Sequence, residues 1–251
     1  MGVDVDVIQM RDLNALIGES VVQREKWVFA HHNPHGIYTY HHNATFRALF
    51  ARATVAHIDG MMLILVGRIL GLPVTREDRT TYVDWVHPLM ANATAHGWRV
   101  FFVGGKPGVG DKAAAILREA HSGLIIEVAH GYFDTTPDGA ANQDVLRRMH
   151  EFRTDVLMVG MGMPRQEKWI LENLDQLDVP SILPCGACMD FVAGEIPQPP
   201  AWMWRTGLAW VHRFAAEPRR LWKRYLVEPW FLSYLILRDL PERRFKRFKR
   251  Q

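Results

Sequence analysis

The stretch "DVLMVGMGMPRQEKWI", residues 155–170, joins an aliphatic run to a glycine-rich turn and then to a helical pattern. Residues 155–160 have the composition of a buried strand. Beyond the turn, apolar residues recur at three- and four-residue spacing, which is typical of one face of a helix. Pro164 suits a first helical turn, where its missing N–H is not needed, so the helix is predicted to begin there. The stretch therefore predicts a strand–turn–helix unit of an α/β sheet.

Similar units recur along the first 193 residues of the chain. Segments with helical spacing, such as "GDKAAAILREAH" at 110–121, separate short β-branched or aromatic runs. This alternation predicts an α/β fold with a Rossmann-like, mostly parallel sheet and flanking helices, whose ligands bind at the carboxyl ends of the strands. The predicted strands are residues 26–31, 54–58, 98–104, 124–129, 155–160 and 180–184.

The pattern changes after Ala193. No further strand is predicted there, and proline, tryptophan and arginine become frequent. Two or three amphipathic helices, interrupted at Pro218 and Pro229, are predicted instead. We therefore expect an α/β core at residues 1–193 and a C-terminal helical appendage at residues 194–251.

Basic charge is concentrated at the C-terminal end. The formal net charge is +3, but residues 213–251 hold twelve Lys/Arg against four Asp/Glu, and six of these cations fall in "RRFKRFKR" at 243–250. The N-terminal "MGVDVDVIQMRDL" lacks the basic start and apolar run of a secretory leader, which predicts a cytoplasmic protein. The apolar stretch "WFLSYLIL" at 230–237 is much shorter than the roughly 20 residues that span a bilayer. It is suited to lying on an anionic membrane surface.

Two glycine-rich turns follow predicted strands. Gly104 and Gly105 end the run "FFVGG", and Gly162 lies in the opening stretch. Backbone amides at such turns can bind phosphate, although a tight strand-to-helix turn also needs glycine for steric reasons. A dinucleotide fingerprint is incomplete, because Arg165 stands at its third glycine position and Asp190 lies too far along the chain to bind a ribose. An NAD(P)-dependent oxidoreductase of Rossmann type is therefore the alternative hypothesis.

Asp59 is the carboxylate best placed for chemistry. It ends an apolar strand and precedes Gly60 and an apolar helix, so it lies at the ligand-binding edge of the predicted sheet. Two interpretations are open at this point. Asp59 caps the helix, or it is a general base whose partial burial raises its affinity for protons.

Three patterns resemble metal or redox sites without completing one. Cys185 and Cys188 form a C-x-x-C pair, but no second pair completes a four-cysteine zinc site. The histidines between residues 31 and 42 are divided between a predicted strand and a helix, and the D-x-D of Asp4 and Asp6 lies away from any predicted strand end. We expect structural or exposed cysteines and no metal site.

Six ordered blocks resemble one family of enzymes. Together, over roughly residues 3–232, they are similar to the bacterial WecG/TagA/CpsF glycosyltransferases, the N-acetylmannosaminyl- and N-acetylmannosaminuronyltransferase family. The blocks are "HIDGMMLILVGRILG" (57–71), "FFVGGKPGVGDKAAAIL" (101–117), "GYF" (131–133), "VGMGMPRQEKWI" (159–170), "CGACMDFVAGEIPQPPAWMWRTGLAWVHR" (185–213) and "EPRRLWKRYL" (217–226).

The resemblance implies an inverting glycosyltransferase, peripheral at the cytoplasmic face of the membrane. Such enzymes move a sugar from a UDP-sugar to a polyprenyl (lipid) diphosphate-linked saccharide during assembly of surface polysaccharide or teichoic acid. The expected partners are therefore a UDP-sugar donor, that lipid-linked acceptor and an anionic membrane surface, and no nucleic acid. The donor is a substrate, so no cofactor is expected.

The resemblance also implies roles for individual residues. Asp59 looks like the family's proposed catalytic base, and His31 stands where the family often has threonine. Amides after Gly104 and Gly162, with arginines, are expected to stabilise the departing UDP without an obligatory divalent metal. The expected substrate-binding residues are His31, Asn33, Arg79, Gly104, Gly105, Gly162, Gln166, Arg213, Arg220 and Arg224.

Four residues depart from the family's usual pattern. Besides His31, Tyr82 stands at a usual glycine, Gln198 at a usual arginine and Ala209 at a usual glutamate. Because some of these positions belong to the expected pocket, such departures can alter the donor sugar or the acceptor, and the sequence does not fix the effect of any of them.

Overall fold

A computed structural model describes residues 1–206 and 208–240 as one six-stranded parallel sheet with helices on both faces. The basic segment 243–250 lies outside the described residues. The strand order is β2-β1-β6-β5-β3-β4. All six predicted strands are confirmed, with boundaries shifted by a single residue. The strands are β1 (Trp27–His32), β2 (Val55–Ile58), β3 (Arg99–Gly104), β4 (Ile125–Ala129), β5 (Val156–Gly160) and β6 (Ser181–Pro184).

Helices connect successive strands, as parallel pairing requires. Pro164 precedes the helix after β5, which begins at Arg165, one residue later than predicted. The helices of this part are α1 (Met10–Gln23), α2 (Pro34–His42), α3 (Ala44–Phe50), α4 (Met61–Ile69), α5 (Tyr82–His96), α6 (Val109–Ala120), α7 (Ala140–Glu151), α8 (Arg165–Asn173) and α9 (Cys188–Val192), with a 3-10 turn at Arg76–Asp78.

The C-terminal segment is mainly helical from Ala201 to Asp239. Pro218 begins a helix, as predicted, but Pro229 does not interrupt one, because the chain stays helical from Pro218 to Asp239. A proline in the first turn of α13 gives up no hydrogen bond that the helix needs. The helices are α10 (Ala201–Thr206), α11 (Ala209–Ala216), α12 (Pro218–Trp222) and α13 (Glu228–Asp239), and Lys223–Val227 forms a π-helical turn. No helix among the described residues is long and apolar enough to cross a membrane.

Alternating strand residues fill a core on each face of the sheet. Phe102 and Met158 pack on one side with α1, α5, α6 and α9, whereas Phe101 and Leu157 pack on the other with α7 and α8. This period of two explains why the central strands are apolar throughout their length, since helices cover both faces.

A third core joins the C-terminal segment to the edge of the sheet. Leu232 and Leu235 of α13 are buried in one cluster with Ile37 of α2, Ile58 of β2 and Ile64 of α4. Burial of a leucine side chain contributes about 2 kcal/mol. The packing of α13 on the sheet edge therefore stabilises the carboxyl ends of β1 and β2, where the candidate site lies.

Candidate functional site

A single cleft of about 1340 Å³ receives residues from the carboxyl ends of all six strands. Its other wall comes from the C-terminal helices. The volume exceeds the range of about 300–1000 Å³ that is usual for one small ligand. Of the residues predicted from the sequence, these line the cleft: Asp59, His31, Asn33, Arg79, Gly105, Gly162, Gln166, Arg213, Arg220 and Arg224.

The Asp59 carboxylate faces this cleft and does not cap α4. The N-cap residue of α4 is Gly60, and no side chain caps that helix. Instead, Asp59 Oδ2 accepts a hydrogen bond from Asn33 Nδ2 at 3.1 Å, and its side chain is 21% exposed. The helix-cap interpretation is therefore wrong, and the carboxylate is oriented by the residue that follows β1.

The buried imidazole of His31 lies next to the Asp59 carboxylate and does not neutralise it. His31 Nε2 lies 3.8 Å from Asp59 Oδ2, and its buried ring packs edge-on against Tyr82 with 5.5 Å between the ring centroids. Burial lowers the pKa of His31, Arg224 lowers it further, and the Asp59 carboxylate opposes both effects. Because the ordinary pKa of histidine is already below 7, His31 is neutral at pH 7 and adds no positive charge beside Asp59.

Gly104 and Gly160 are required by the close approach of β3 and β5. A Cβ on Gly104 would lie 2.4 Å from Gly160 O, and one on Gly160 would lie 2.6 Å from the Phe102 ring. Real Cβ atoms do not approach neighbours so closely, so the steric role of glycine holds here. Gly104 itself is not among the residues that line the cleft.

One amide in each glycine turn is used within the protein. Gly105 N donates to Gly160 O at 3.1 Å, and Gly162 N donates to Gln166 Oε1 at 3.1 Å. Neither of these two amides can also donate to a phosphate in this conformation.

Gln166 joins two neighbouring turns at the base of the cleft. Its Oε1 accepts hydrogen bonds from Gly162 N and Gly186 N, both at 3.1 Å, and its Nε2 donates to Glu167 Oε1 at 2.7 Å. The side chain is fully buried. Since a flipped amide would set its NH₂ against two N–H donors, the Glu167 carboxylate fixes the orientation that the turns need.

Glu167 is a buried acid that the sequence analysis missed. It is 1% exposed, its Oε2 has no hydrogen-bond partner among the described residues, and burial raises its pKa from 4.5 to about 7 despite the hydrogen bond from Gln166. A glutamate in a first helical turn is usually exposed. The only local signal was its position directly after the Gly162 turn.

The raised pKa of Glu167 makes stability depend on pH. The fold favours the neutral acid, so this contribution is present below about pH 4.5 and is lost as pH rises towards 7. We expect Glu167→Gln, which stays neutral, to raise the free energy of unfolding by about 1–3 kcal/mol more at pH 8 than at pH 5. Urea unfolding at both pH values measures this difference. Glu172→Gln, an exposed change on the same helix, is the control, and equal effects of Glu167→Gln at both pH values would contradict the assignment.

Three arginines of the C-terminal helices form a cationic wall opposite the strand ends. The Arg213 guanidinium lies over the Phe191 ring, 5.3 Å from its centroid. Burial lowers the pKa of Arg213, and the charges of Arg224 and Arg220 lower it further, so the three repel one another. Glu217 forms an ion pair with Arg220, which offsets part of the charge. The remaining excess of positive charge is suited to a ligand that carries more than one negative charge.

Two further polar contacts complete the cleft. Arg79 lines it while forming an ion pair with Asp84, so its guanidinium is held in place from outside the cleft. His35 of α2 is hydrogen-bonded through Nδ1 to both oxygens of Glu228 on α13, at 2.8 and 3.0 Å. This second contact ties the cationic wall to the strand ends.

The cysteines are buried and carry no disulfide. Burial raises the pKa of Cys188 to about 12 and that of Cys185 well above its usual value, so both stay protonated thiols at neutral pH. This agrees with the structural interpretation. Within residues 1–206 and 208–240, no group of three or more His, Cys, Asp or Glu side chains is arranged to hold a metal ion. Asp6, of the D-x-D pair, bonds instead to the Ala56 backbone N–H at 2.7 Å.

Comparison with protein families gives one match that spans nearly the whole chain. The model described as "Glycosyl transferase WecG/TagA/CpsF family" matches residues 1–246. The matched range includes the strand ends, the glycine turns and the cationic wall.

Proposed function

The chain belongs to the WecG/TagA/CpsF glycosyltransferase family, and from that premise we propose that it is an inverting enzyme that transfers a sugar from a UDP-sugar to a polyprenyl diphosphate-linked saccharide. Membership makes it a glycosyltransferase, whereas the donor and acceptor are the proposal. The observation that carries the proposal is the position of the Asp59 carboxylate, which does not cap α4 and lies in the same cleft as Arg213, Arg220 and Arg224. Displacement of UDP from the anomeric carbon in one step requires a base for the attacking hydroxyl and positive charge for the departing diphosphate.

In the proposed reaction, Asp59 removes the proton from the attacking hydroxyl of the acceptor. That oxygen forms a bond to the anomeric carbon while the bond from this carbon to the phosphate oxygen of UDP breaks, and UDP departs with the electron pair. One displacement inverts the anomeric configuration. Asn33 orients the carboxylate, and the cationic wall stabilises the charge that develops on the departing diphosphate.

The NAD(P)-dependent alternative gains nothing from the geometry. Its phosphate-binding amide at Gly162 is bonded to Gln166, and Arg165 occupies the third glycine position. Of the glycines at these turns, Gly104 and Gly160 serve the close packing of neighbouring strands.

We expect binding and turnover of the donor without an obligatory divalent metal, because arginines supply the positive charge. UDP and a panel of UDP-N-acetylmannosamine, UDP-N-acetylmannosaminuronic acid and UDP-glucose should raise the Tm, and UDP release with a lipid diphosphate acceptor should proceed in excess chelator. Activity that disappears in chelator and returns with Mg²⁺ or Mn²⁺ would contradict the metal prediction. A failure of UDP and all three sugars to bind would contradict the proposed function itself.

We further propose that α13 places the enzyme on the cytoplasmic face of an anionic membrane. Its outward residues are apolar and amphipathic, with Trp230 77%, Tyr234 58% and Leu237 67% exposed, while Leu232 and Leu235 are buried beneath. At about 100° per residue, this exposed stripe adjoins Ser233 and Ile236, which line the cleft. Contact of the stripe with lipid would bring the cleft to the bilayer surface, where a lipid-linked acceptor lies.

Replacement of Trp230 and Leu237 by serine should lower binding to anionic vesicles about fivefold or more, because their apolar surface is what inserts into the interface. Sedimentation with vesicles of phosphatidylglycerol and phosphatidylcholine measures the bound fraction. Val22→Ser is the matched control, since Val22 is 82% exposed on α1. Equal sedimentation of the double variant and the control would count against docking through α13.

A further inference from the structure

Two buried hydroxyls near Asp59 have no hydrogen-bond partner among the described residues. They are those of Thr81 and Tyr82, and both residues line the cleft. A buried polar group without a hydrogen bond is costly, and native proteins rarely keep one without a ligand or water to satisfy it. Two such groups on adjacent residues of a cleft indicate a polar ligand.

Thr81 is at the start of helix α5, but its hydroxyl does not cap the helix as a threonine at this position usually does. It is the N-cap residue of α5, and its carbonyl accepts from Asp84 N and Trp85 N, both at 3.0 Å. Its hydroxyl caps nothing, although accepting from the first-turn amides is the usual reason for threonine at this position. The side chain is 8% exposed. The Thr81 hydroxyl is thus buried beside the cleft without a hydrogen-bond partner among the described residues.

Tyr82, the next residue, also lines the cleft and has a buried hydroxyl without a hydrogen-bond partner among the described residues. The ring is 4% exposed and is held between His31 and Trp85, at centroid distances of 5.5 and 5.1 Å. Burial raises the pKa of the phenol, and the nearby Cys185, Cys188 and Asp59, which also line the cleft, raise it further. The hydroxyl therefore stays protonated and can both donate and accept.

The character of these groups selects one part of a nucleotide sugar. Cations line the cleft from both sides, since Arg213, Arg220 and Arg224 lie on the C-terminal segment and Arg79, Lys106 and Arg165 lie on the side of the strand ends. The groups named above beside the Asp59 carboxylate are neutral hydroxyls and a neutral imidazole. A phosphate would be repelled by Asp59 and would find no positive charge on His31. Sugar hydroxyls, which donate and accept hydrogen bonds and carry no charge, match this wall.

We propose that Thr81 and Tyr82 form a sugar-recognition subsite, in which their two hydroxyls bind hydroxyl or acylamino groups of the hexose that is transferred. The inference rests on the proposed UDP-sugar donor. It adds two specificity residues that hold the hexose against Asp59, separate from the residues that bind the diphosphate.

Removal of either hydroxyl should weaken binding of the UDP-sugar and leave binding of UDP nearly unchanged. Tyr82→Phe and Thr81→Val should each raise the Kd of the tightest-binding sugar among UDP-N-acetylmannosamine, UDP-N-acetylmannosaminuronic acid and UDP-glucose by about 5- to 20-fold. The Kd of UDP should change less than about twofold, and the Tm should stay level or rise, because an unsatisfied hydroxyl is lost from the ligand-free protein. Calorimetric titration and thermal unfolding give the three values.

Thr80→Val is the matched control, one residue away. The Thr80 hydroxyl is already bonded, to His57 Nδ1 at 2.6 Å and Ile58 O at 3.1 Å. Its removal should lower the Tm and leave the ratio of UDP-sugar to UDP affinity unchanged. If the wild type binds the UDP-sugar and both Tyr82→Phe and Thr81→Val keep that ratio, the subsite is wrong and the proposed function stands. If the wild type binds neither UDP nor any of the sugars, both fail together.

Discussion

Asp59→Asn is expected to lower kcat by about 10²–10⁴-fold, the range that a general base contributes. The change is nearly isosteric, and the new amide oxygen can still accept the hydrogen bond from Asn33 Nδ2 that orients the carboxylate. What is lost is the ability to take a proton from the acceptor hydroxyl. The Kd of UDP should remain within about threefold, because the cationic wall is untouched. Turnover and UDP titration on the same preparation separate the two quantities.

Asp134→Asn is the control for this experiment. Asp134 also follows a strand, β4, at the same edge of the sheet, but it is exposed and is not among the residues that line the cleft. Its replacement should leave kcat unchanged. A kcat for Asp59→Asn within tenfold of the wild type would remove Asp59 from the role of base, and the cleft would then need another proton acceptor.

The fold could be predicted because its signals are local. Each strand, such as Val156–Gly160, is a short aliphatic run bounded by a turn, and each helix shows its own apolar spacing. The edge at which Asp59 lies followed from the same pattern, since parallel strands all end at one side. The residue's position in the cleft was thus predictable from the order of strand and helix.

The finer parts of the site depend on contacts between distant segments. Gln166 was expected in the pocket and lines the cleft, but the sequence did not show that its amide is also bonded to Gly186, 20 residues further on. Nor did it show that Glu167 is buried. The unsatisfied hydroxyls of Thr81 and Tyr82 indicate a ligand site only because β1 and β2 bring His31 and Asp59 close to them. No spacing within one segment carries that information.

The C-terminal helices show the same limit. Their composition predicted helices with a basic character, but not that Leu235 would enter a core with Ile58 or that Glu228 would bond to His35. These contacts hold the cationic wall against the strand ends. The arginines therefore line the same cleft as Asp59, as the proposed function requires.

Arg224→Gln is expected to lower kcat/KM by about 10²–10³-fold, comparable to the loss of one preorganised group that stabilises developing negative charge. Arg224 lies in the π-helical turn Lys223–Val227, an irregularity that often marks functional sites. Its charge acts on Arg213 within the cationic wall and on His31 beside Asp59. Glutamine keeps the length and polarity of the side chain but cannot neutralise a departing diphosphate.

The control for Arg224 is Arg219→Gln. Arg219 has the same charge and lies on the adjoining helix α12, but it is exposed and absent from the cleft wall. Both changes remove one cation from the C-terminal segment, so any loss of membrane attraction should be similar. Measured with UDP in solution and no vesicles, Arg224→Gln should weaken binding at least tenfold more than Arg219→Gln, and Arg224→Lys should recover part of the loss because a point charge remains. Equal effects of the two glutamine variants would mean that the arginines serve the membrane and not the diphosphate, and the leaving group would then require another source of positive charge.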